Sequence, residues 1–245
     1  MEEAESAKEY WGSTDKQGKE YSNEKPPMYA SVLARVVTTL EPGSVLEFGS
    51  NTGRNLQLIR NKVSSKTKLK GIDINQDSID WGREEWGLDL ECVDESYLST
   101  CEANSYDLVF TVSVLDHIPD IENVVRDIYK VTSGHFILLE PHLDSEINYL
   151  KCFKDENRIP AEIKAQAPYS YLHDYKSIFQ RVGFEEVVDL PLPTYFGGFG
   201  LLYRLTLFKK KDAESDFDED FYARIHDQII LEMMLRVLHV PKEFK

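Results

Sequence analysis

The sequence lacks any uninterrupted apolar run that approaches the length of a membrane span, and its first ten residues are charged and polar rather than secretory. Cysteine is also scarce: Cys92, Cys101 and Cys152 are widely spaced and odd in number. This usage suits a reducing cytosol and argues against a disulfide framework or a cysteine-rich zinc site. We therefore expect a cytoplasmic protein that has no membrane partner.

Basic residues are outnumbered, because 28 lysines and arginines face 43 aspartates and glutamates, which gives a formal net charge of −15. Phosphate contacts supply most of the affinity of non-specific nucleic-acid binding, so RNA, DNA and anionic membranes are poor candidates for partners. No set of histidines and acids has the spacing of metal ligands, and no metal is expected. The 42% hydrophobic fraction and the length of 245 residues suit one large α/β domain with appendages.

The most informative stretch is SVLEFGSNTGRNLQLI, which runs from Ser44 to Ile59. Its apolar run around Glu47 predicts a short buried parallel strand, Gly49 and Gly53 bracket a tight turn, and a helix follows. The glycines let backbone N–H groups approach a ligand, and the helix N-terminus favours a carboxylate or phosphate. A dinucleotide loop requires G-x-G-x-x-G, whereas this chain has G-x-x-x-G. The pattern therefore indicates a nucleotide-like cofactor held by a doubly wound sheet.

Further strands and helices alternate along the chain. KLKGIDIN predicts a second strand ending at Asp73, LDLECVD a third ending at Asp94, and YDLVFTV a fourth. An acid at the position of Asp73 accepts hydrogen bonds from ribose hydroxyls in such sheets, and Asn75 is the natural cap of the next helix. GHFILLEPH predicts a fifth strand that ends at residues 140–142, and EEVVDLPL and GLLYRLTLFKKK predict the last two strands.

Five ordered signals resemble those of the Rossmann-like class of S-adenosylmethionine-dependent methyltransferases. They are the E-x-G-x-x-x-G-x-N pattern that begins at Glu47, the acids Asp73 and Asp94, the VLDHIPD exit of the fourth strand, and the strand pair after Gly183. The resemblance covers residues 44–211. It implies an α/β fold with a Rossmann-like, seven-stranded, mostly parallel sheet, helices on both faces and an antiparallel last strand. The implied cofactor is S-adenosyl-L-methionine, with S-adenosyl-L-homocysteine as the product.

The resemblance also implies cofactor contacts at four strand ends. Glu47 with the two glycines would hold the methionyl end, Asp73 the ribose and Asp94 the adenine amine. Backbone carbonyls of residues 111–113 would face the methionyl ammonium, and Arg54 would support the loop or meet the cofactor carboxylate. The complete implied set is Glu47, Gly49, Ser50, Asn51, Gly53, Arg54, Asp73, Ile74, Asp94, Glu95, Thr111, Val112 and Ser113.

Two histidines are candidates for proton transfer. His117 follows the fourth strand and His142 the fifth, at the same edge of the sheet. Each could take a proton from a substrate hydroxyl, or His117 could be a helix-start histidine bonded to Asp116 or to a backbone carbonyl. A polar cluster before Gly183 is expected to line the acceptor pocket or, alternatively, to begin a capped amphipathic helix over YSYLHDYKSIFQRVGF. Its candidate substrate-binding residues are Tyr169, Tyr171 and His173.

Composition divides the chain into three parts. Residues 1–28 form a polar segment that carries Tyr10 and Trp11, either a lid or a partly disordered extension. Residues 29–211 form the methyltransferase domain, and residues 144–168 are a candidate substrate-covering insertion. Residues 212–245 hold an acidic linker and an amphipathic helix, which either docks on its own domain or forms a homodimer contact.

The predicted function is transfer of a methyl group to an oxygen or nitrogen of a small polar metabolite, for example a sugar or a nucleotide-sugar. The alternatives are a protein or tRNA acceptor, or a non-catalytic scaffold that binds S-adenosylmethionine. A nicotinamide-dependent oxidoreductase uses the same kind of sheet, but it would require the G-x-G-x-x-G loop that this chain lacks.

Overall fold

The computed structural model describes residues 2–13, 27–143, 169, 171, 173–196, 201–212 and 217–238. Cys152 and the predicted insertion over residues 144–168 lie outside these ranges, and so does the remainder of the N-terminal segment, residues 14–26.

A seven-stranded sheet with the order β3-β2-β1-β4-β5-β7-β6 forms the centre of the molecule. β7 runs antiparallel to both of its neighbours, β5 and β6, and the other neighbouring pairs are parallel. This confirms the predicted fold, including the antiparallel last strand. The strands are β1 (Ser44–Phe48), β2 (Lys68–Asp73), β3 (Asp89–Cys92), β4 (Tyr106–Val112), β5 (Thr132–Leu143), β6 (Phe184–Phe196) and β7 (Leu201–Lys210).

Helices cover both faces of the sheet. β4 shows the consequence for sequence, since Leu108, Val109 and Phe110 are consecutive and all nearly inaccessible to solvent. A strand can be continuously apolar only when both of its faces are covered. The described helices are α1 (Glu2–Ser13), α2 (Met28–Leu40), α3 (Arg54–Arg60), α4 (Gln76–Trp86), α5 (Ser96–Thr100), α6 (Glu122–Val131), α7 (Tyr175–Val182) and α8 (Glu219–Leu238), with a single 3₁₀ turn at Leu115–His117.

Side chains on the two faces form two apolar cores. One core joins α2, α3, α4 and α8 to the sheet, and Leu108 and Phe110 point into it. The other joins α5, α6 and α7 to the opposite face, where Val109 points. The alternation along β4 follows from the period of two residues in a strand. Together the two layers fix the strand ends at which the candidate site lies.

The C-terminal helix α8 docks on its own domain. Ile225, Ile229 and Met233 are buried against the core that contains α2, and Thr39 donates a hydrogen bond of 2.6 Å to Gln228 Oε1. Leu231, Met234 and Leu235 are exposed on another side of α8. Packing on its own domain is thus the observed arrangement of the described helix, and the homodimer contact stays a prediction.

Three local features differ from the expectations. β3 ends at Cys92, two residues before Asp94, because Asp94 forms a turn in which its Oδ1 accepts from the backbone N–H of Ser96 at 3.0 Å. The helix predicted from Tyr169 begins only at Tyr175, since Asp174 caps it by accepting from Ser177 N–H. The N-terminal segment contains a helix, α1, that the composition did not predict.

Over these described ranges, none of the helices combines the length and the apolar character needed to cross a bilayer. The same ranges hold no cluster of three or more histidine, cysteine, aspartate or glutamate side chains arranged to bind a metal ion.

Candidate active site

The candidate site is the crevice at the carboxyl ends of β1 and β4, where the strand order reverses direction. The turn after β1 is anchored to β2, because the N–H groups of Gly49 and Ser50 both donate to the carbonyl of Ile72, at 2.8 and 2.9 Å. Gly49 and Gly53 adopt φ angles of +79° and +78°, and Gly53 is the N-cap of α3. The predicted glycine turn is therefore present and requires glycine conformations at both positions.

The turn packs directly against the loop that leaves β4. A Cβ atom added to Gly49 would lie 2.2 Å from Val114 Cγ2, much closer than van der Waals contact allows. The two loops thus approach each other at backbone distance, and the missing side chain of Gly49 permits it.

Glu47 places a buried carboxyl group under the glycine turn. It is 1% exposed, and Asn55 Nδ2 donates to its Oε1 at 2.8 Å. Its other oxygen, Oε2, is buried and has no hydrogen-bond partner within the described residues. Burial, with a smaller contribution from the charge of Asp73, raises the pKa of Glu47 to about 8, and Asn55 and Arg54 oppose this increase. A buried acceptor without a partner is costly, so a cationic or N–H donor from a ligand would complete this site.

Asp73 ends β2 with both of its carboxylate oxygens bound to the backbone. Oδ2 accepts from Asn51 N–H at 2.7 Å, and Oδ1 accepts from Asn75 N–H at 2.9 Å. Burial raises the pKa of Asp73, and these backbone hydrogen bonds partly offset the rise. Asn75 itself caps α4 by accepting from Ser78 N–H at 2.9 Å. The expectation that Asn75 is the cap is confirmed, and the ribose role of Asp73 stays a prediction.

Asp94 and Glu95 lie at the mouth of the crevice and bind Lys8 of α1. Lys8 Nζ is 3.1 Å from Asp94 Oδ2 and 2.6 Å from Glu95 Oε1. Hydrogen bonds from Ser96 and the charge of Lys8 lower the pKa of Asp94. The side chain of Asp94 is 42% exposed to solvent, so the contact with Lys8 does not cover it.

α1 extends from this mouth to the exit of β4. Asn75 Nδ2 donates to the carbonyl of Trp11 at 3.2 Å, the ring of Trp11 lies 4.0 Å from that of His117, and Tyr10 contacts Tyr169. This helix therefore touches residues predicted for the cofactor, for the substrate and for proton transfer. The sequence signal for it was the pair Tyr10 and Trp11 within a polar segment.

The residues predicted to follow β4 are also present at the crevice. Thr111 is fully buried, and Ser113 has a φ angle of +52°. The Ser113 hydroxyl lies 2.7 Å from the hydroxyl of Tyr203, whose ring packs on Tyr29. Arg54 donates to the Tyr29 hydroxyl at 2.9 Å, which links the start of α3 to α2. The two roles expected for Arg54, to support the loop or to meet the cofactor carboxylate, stay predictions.

The three predicted substrate-binding residues lie at the turn that contains His117. His117 Nδ1 lies 3.3 Å from the carbonyl of Tyr169, Tyr171 N–H donates to the carbonyl of Asp116 at 2.6 Å, and His173 Nε2 lies 2.9 Å from the carbonyl of Ile118. Burial lowers the pKa values of His117 and His173. His117 is thus bonded to a backbone carbonyl, as one alternative predicted. His142 belongs to β5, and its side chain lies outside the described part of the structure.

Two buried acids near His117 were not among the site residues predicted from the sequence, and Asp116 was named only as a possible partner of His117. Glu140, at the end of β5, is 0% exposed, and Asp116 is 5% exposed. The sequence contained a signal for them, since Asp116 follows the apolar run of β4 and Glu140 ends the apolar run within β5. Sequence alone does not give the register that brings the two ends together, which pairs Val112 with Leu139.

The fold is the Rossmann-like sheet that S-adenosylmethionine-dependent methyltransferases share. A family model described as a methyltransferase domain matches residues 22–190. The chain therefore belongs to this methyltransferase family. No curated protein matches the sequence at a significant level.

Solved structures share the fold at low sequence identity. The 1,6-didemethyltoxoflavin-N1-methyltransferase of Burkholderia thailandensis, solved with 1,6-didemethyltoxoflavin and S-adenosylhomocysteine, is 15% identical with a TM-score of 0.61, over 86% of this chain and 90% of that one. The N-methyltransferase NodS of Bradyrhizobium japonicum WM9, solved with S-adenosylhomocysteine, is 14% identical with a TM-score of 0.59, over 86% and 99%. The [4+2]-cyclase SpnF is 15% identical with a TM-score of 0.58, over 75% and 81%. At these identities the likeness establishes the fold alone.

Proposed function

We propose that the protein binds S-adenosylmethionine in the crevice between β1 and β4 and transfers its methyl group to an oxygen or nitrogen of a small polar metabolite. The single observation that carries this proposal is the partnerless, buried oxygen of Glu47 beneath a glycine turn. Family membership supports the same cofactor. A [4+2]-cyclase has the same fold, so the reaction is argued from the residues of the crevice.

In this proposal each wall of the crevice holds one part of the cofactor. The Glu47 carboxyl group meets the methionyl ammonium, Asp73 the ribose hydroxyls and Asp94 the adenine amine. Ile74 packs on the adenine, and Ser113 marks the place where the loop after β4 faces the methionyl end. When bound, the cofactor supplies a sulfonium methyl group. The chain contributes chiefly by positioning both reactants, which is worth several kcal/mol of barrier.

The acceptor is proposed to lie beside His117, between α1 and the segment that contains Tyr169, Tyr171 and His173. The ring of Trp11 packs on the His117 ring and the carbonyl of Tyr169 lies at its Nδ1, so His117 itself is covered from two sides. Covered, aromatic walls suit a small acceptor better than a folded macromolecule. The net charge of −15 supports the same choice against tRNA. The lid role of α1, the cytoplasmic location and the sugar or nucleotide-sugar identity belong to this proposal as well.

The proposal predicts that purified protein transfers label from methyl-tritiated S-adenosylmethionine to a protein-free extract of cellular metabolites. Parallel reactions contain bulk tRNA or a heat-treated protein extract. Label in the tRNA or in the protein, without label in the metabolite extract, would contradict the small-acceptor proposal. Binding of S-adenosylhomocysteine without transfer to any of the three fractions would favour the non-catalytic scaffold. The matched control is the Gly49→Ala variant, which should transfer no label to any fraction.

Asp73→Ala is expected to weaken S-adenosylhomocysteine binding by about tenfold to a hundredfold, because hydrogen bonds to a charged group contribute about 1.5–3 kcal/mol. The variant removes both the proposed ribose acceptor and the partner of Asn51 N–H in the turn. Asp77→Ala is the control, since Asp77 is an exposed acid in the first turn of α4. Calorimetric titration measures both, and equal affinities for the two variants would contradict the assignment of Asp73.

A further inference from the structure

Asp116 and Glu140 form a buried acid pair next to His117. The two carboxyl groups are hydrogen-bonded to each other. Glu140 also fixes the loop after β4: its Oε1 accepts from Thr111 Oγ1 at 3.1 Å and from Leu115 N–H at 3.3 Å, and both of its oxygens lie 3.2 Å from Val114 N. The pair is therefore built into the loop that carries His117.

The pair holds one proton and one negative charge at neutral pH. Two carboxylates in hydrogen-bond contact cannot both ionise in a buried site. Burial raises the pKa of Asp116 to about 6, and burial with the charge of Asp116 raises the pKa of Glu140 well above its ordinary value. The two carboxyl groups share this proton, so the pair carries a single negative charge.

One oxygen of this charged group is directed at the imidazole. Asp116 Oδ1 is buried without a hydrogen-bond partner within the described residues and lies 3.7 Å from His117 Nε2. His117 Nδ1 faces the carbonyl of Tyr169, which can only accept, so Nδ1 carries the hydrogen and Nε2 has the lone pair. A proton that arrives on Nε2 would place a positive charge 3.7 Å from this buried oxygen.

We propose that His117 Nε2 takes the proton of the methyl acceptor and that the Asp116–Glu140 pair is the positioning element that stabilises the resulting imidazolium. This inference rests on the proposed methyl transfer. It deepens that function by naming the acceptor class: a nucleophile with an N–H or O–H bond that must lose its proton. An acceptor without such a proton, for example a thioether or a tertiary amine, would not need a base.

The proposed methyl transfer is a single displacement step. The lone pair of the acceptor atom forms the bond to the methyl carbon, while the carbon–sulfur bond breaks and its electron pair remains on sulfur. The acceptor proton moves to His117 Nε2, and the imidazolium later loses it to water as the product leaves. The acid pair keeps its single negative charge throughout, and Asp116 Oδ1 forms an ion pair with the imidazolium.

The groups that surround His117 set the pKa of its imidazole. Trp11 covers the imidazole ring from α1, and His173 lies beside the same turn on the carbonyl of Ile118. Arg204 of β7 lies opposite Glu140 in the pairing of β5 with β7, and its side chain forms hydrogen bonds with Asp189. Burial lowers the pKa of His117, and the negative charge that Glu140 shares with Asp116 opposes this decrease, as does the hydrogen bond to the Tyr169 carbonyl. The acid pair is thus the anionic group that favours the imidazolium.

Asp116→Asn should therefore lower the pKa of His117 by about one pH unit, since an opposite charge at this distance shifts a pKa by one unit or more. Side-chain NMR of the six histidines, with S-adenosylhomocysteine present, measures this pKa directly. Asp220→Asn is the matched control, because Asp220 is exposed on α8. Thermal unfolding confirms that both variants are folded. An unchanged His117 pKa in Asp116→Asn would overturn the positioning role.

The pH profile of label transfer to the metabolite extract tests the proton-transfer role. Asp116→Asn should shift the acid limb of this profile to lower pH and reduce the plateau rate at least tenfold, and added imidazole should partly restore transfer by His117→Ala. A purely structural role would reduce the rate at every pH without moving the limb, and that result would overturn the proposal. If wild type bound S-adenosylhomocysteine but transferred no label, the proposed function would fail, while the NMR titration would still decide the role of the acid pair.

Discussion

Gly49→Ala is expected to abolish measurable binding of S-adenosylhomocysteine, with a loss of at least about a hundredfold, or about 2.7 kcal/mol. Gly49 has a φ angle of +79°, which costs a residue with a Cβ atom about 1–2 kcal/mol. The added methyl group would also lie 2.2 Å from Val114 Cγ2, so the loop after β4 must move away from the turn. Calorimetric titration measures the affinity, and thermal unfolding the stability.

Gly87→Ala separates these two effects. Gly87 also has a positive φ angle, +60°, but nothing lies within 4 Å of an added Cβ atom there. The control should therefore lose stability through backbone strain alone and bind S-adenosylhomocysteine within about twofold of wild type, as expected for a site with no shared contacts. If Gly49→Ala bound as tightly as Gly87→Ala, the close approach of the two loops would not matter for the cofactor.

Binding of S-adenosylhomocysteine is expected to strengthen as the pH rises from about 5.5 to 7.5, by up to about tenfold per pH unit. The free protein holds a proton on Glu47, because burial raises the pKa of Glu47 to about 8. A methionyl ammonium at the partnerless Oε2 favours the carboxylate, so binding must release that proton. Calorimetry in buffers of different ionisation enthalpy counts the protons released.

Glu47→Gln is the matched variant, since glutamine keeps the shape but does not titrate. It should bind more weakly at neutral pH and show no pH dependence. The sign for stability is opposite: an acid with a raised folded pKa stabilises the free protein below its unfolded pKa, near 4.5, and this contribution is lost as the pH rises through about 8. Glu47→Gln should therefore unfold at a higher temperature than wild type at the upper end of this range. Weaker stability there, together with unchanged binding, would contradict the account of Glu47.

The parts of the site that the sequence predicts correctly are those set by short-range pattern. The strand end at Glu47, the glycine turn and the cap at Asn75 each depend on a few neighbouring residues, and each is found where it was expected. The family resemblance then orders these local features into one sheet. The antiparallel last strand, which the resemblance also implied, is confirmed.

The parts that the sequence does not predict depend on contacts between distant residues. Lys8 meets Asp94 across 86 positions, so nothing local indicates that α1 would lie on the crevice. Asp116 and Glu140 are brought together by the parallel pairing of β4 and β5 and by the tight turn at Ser113. The start of α7 was predicted too early because aromatic residues before Asp174 continue a helical pattern, whereas Asp174 itself supplies the cap.

Titration of the purified protein with S-adenosylhomocysteine in a calorimeter tests the central claim most directly. The account predicts a single site with a dissociation constant of about 10 μM or lower, or about −7 kcal/mol, together with proton release near neutral pH. It also predicts no comparable heat with NADH, because the loop lacks the dinucleotide pattern. Absence of binding at millimolar S-adenosylhomocysteine, or tight binding of NADH in its place, would contradict the account.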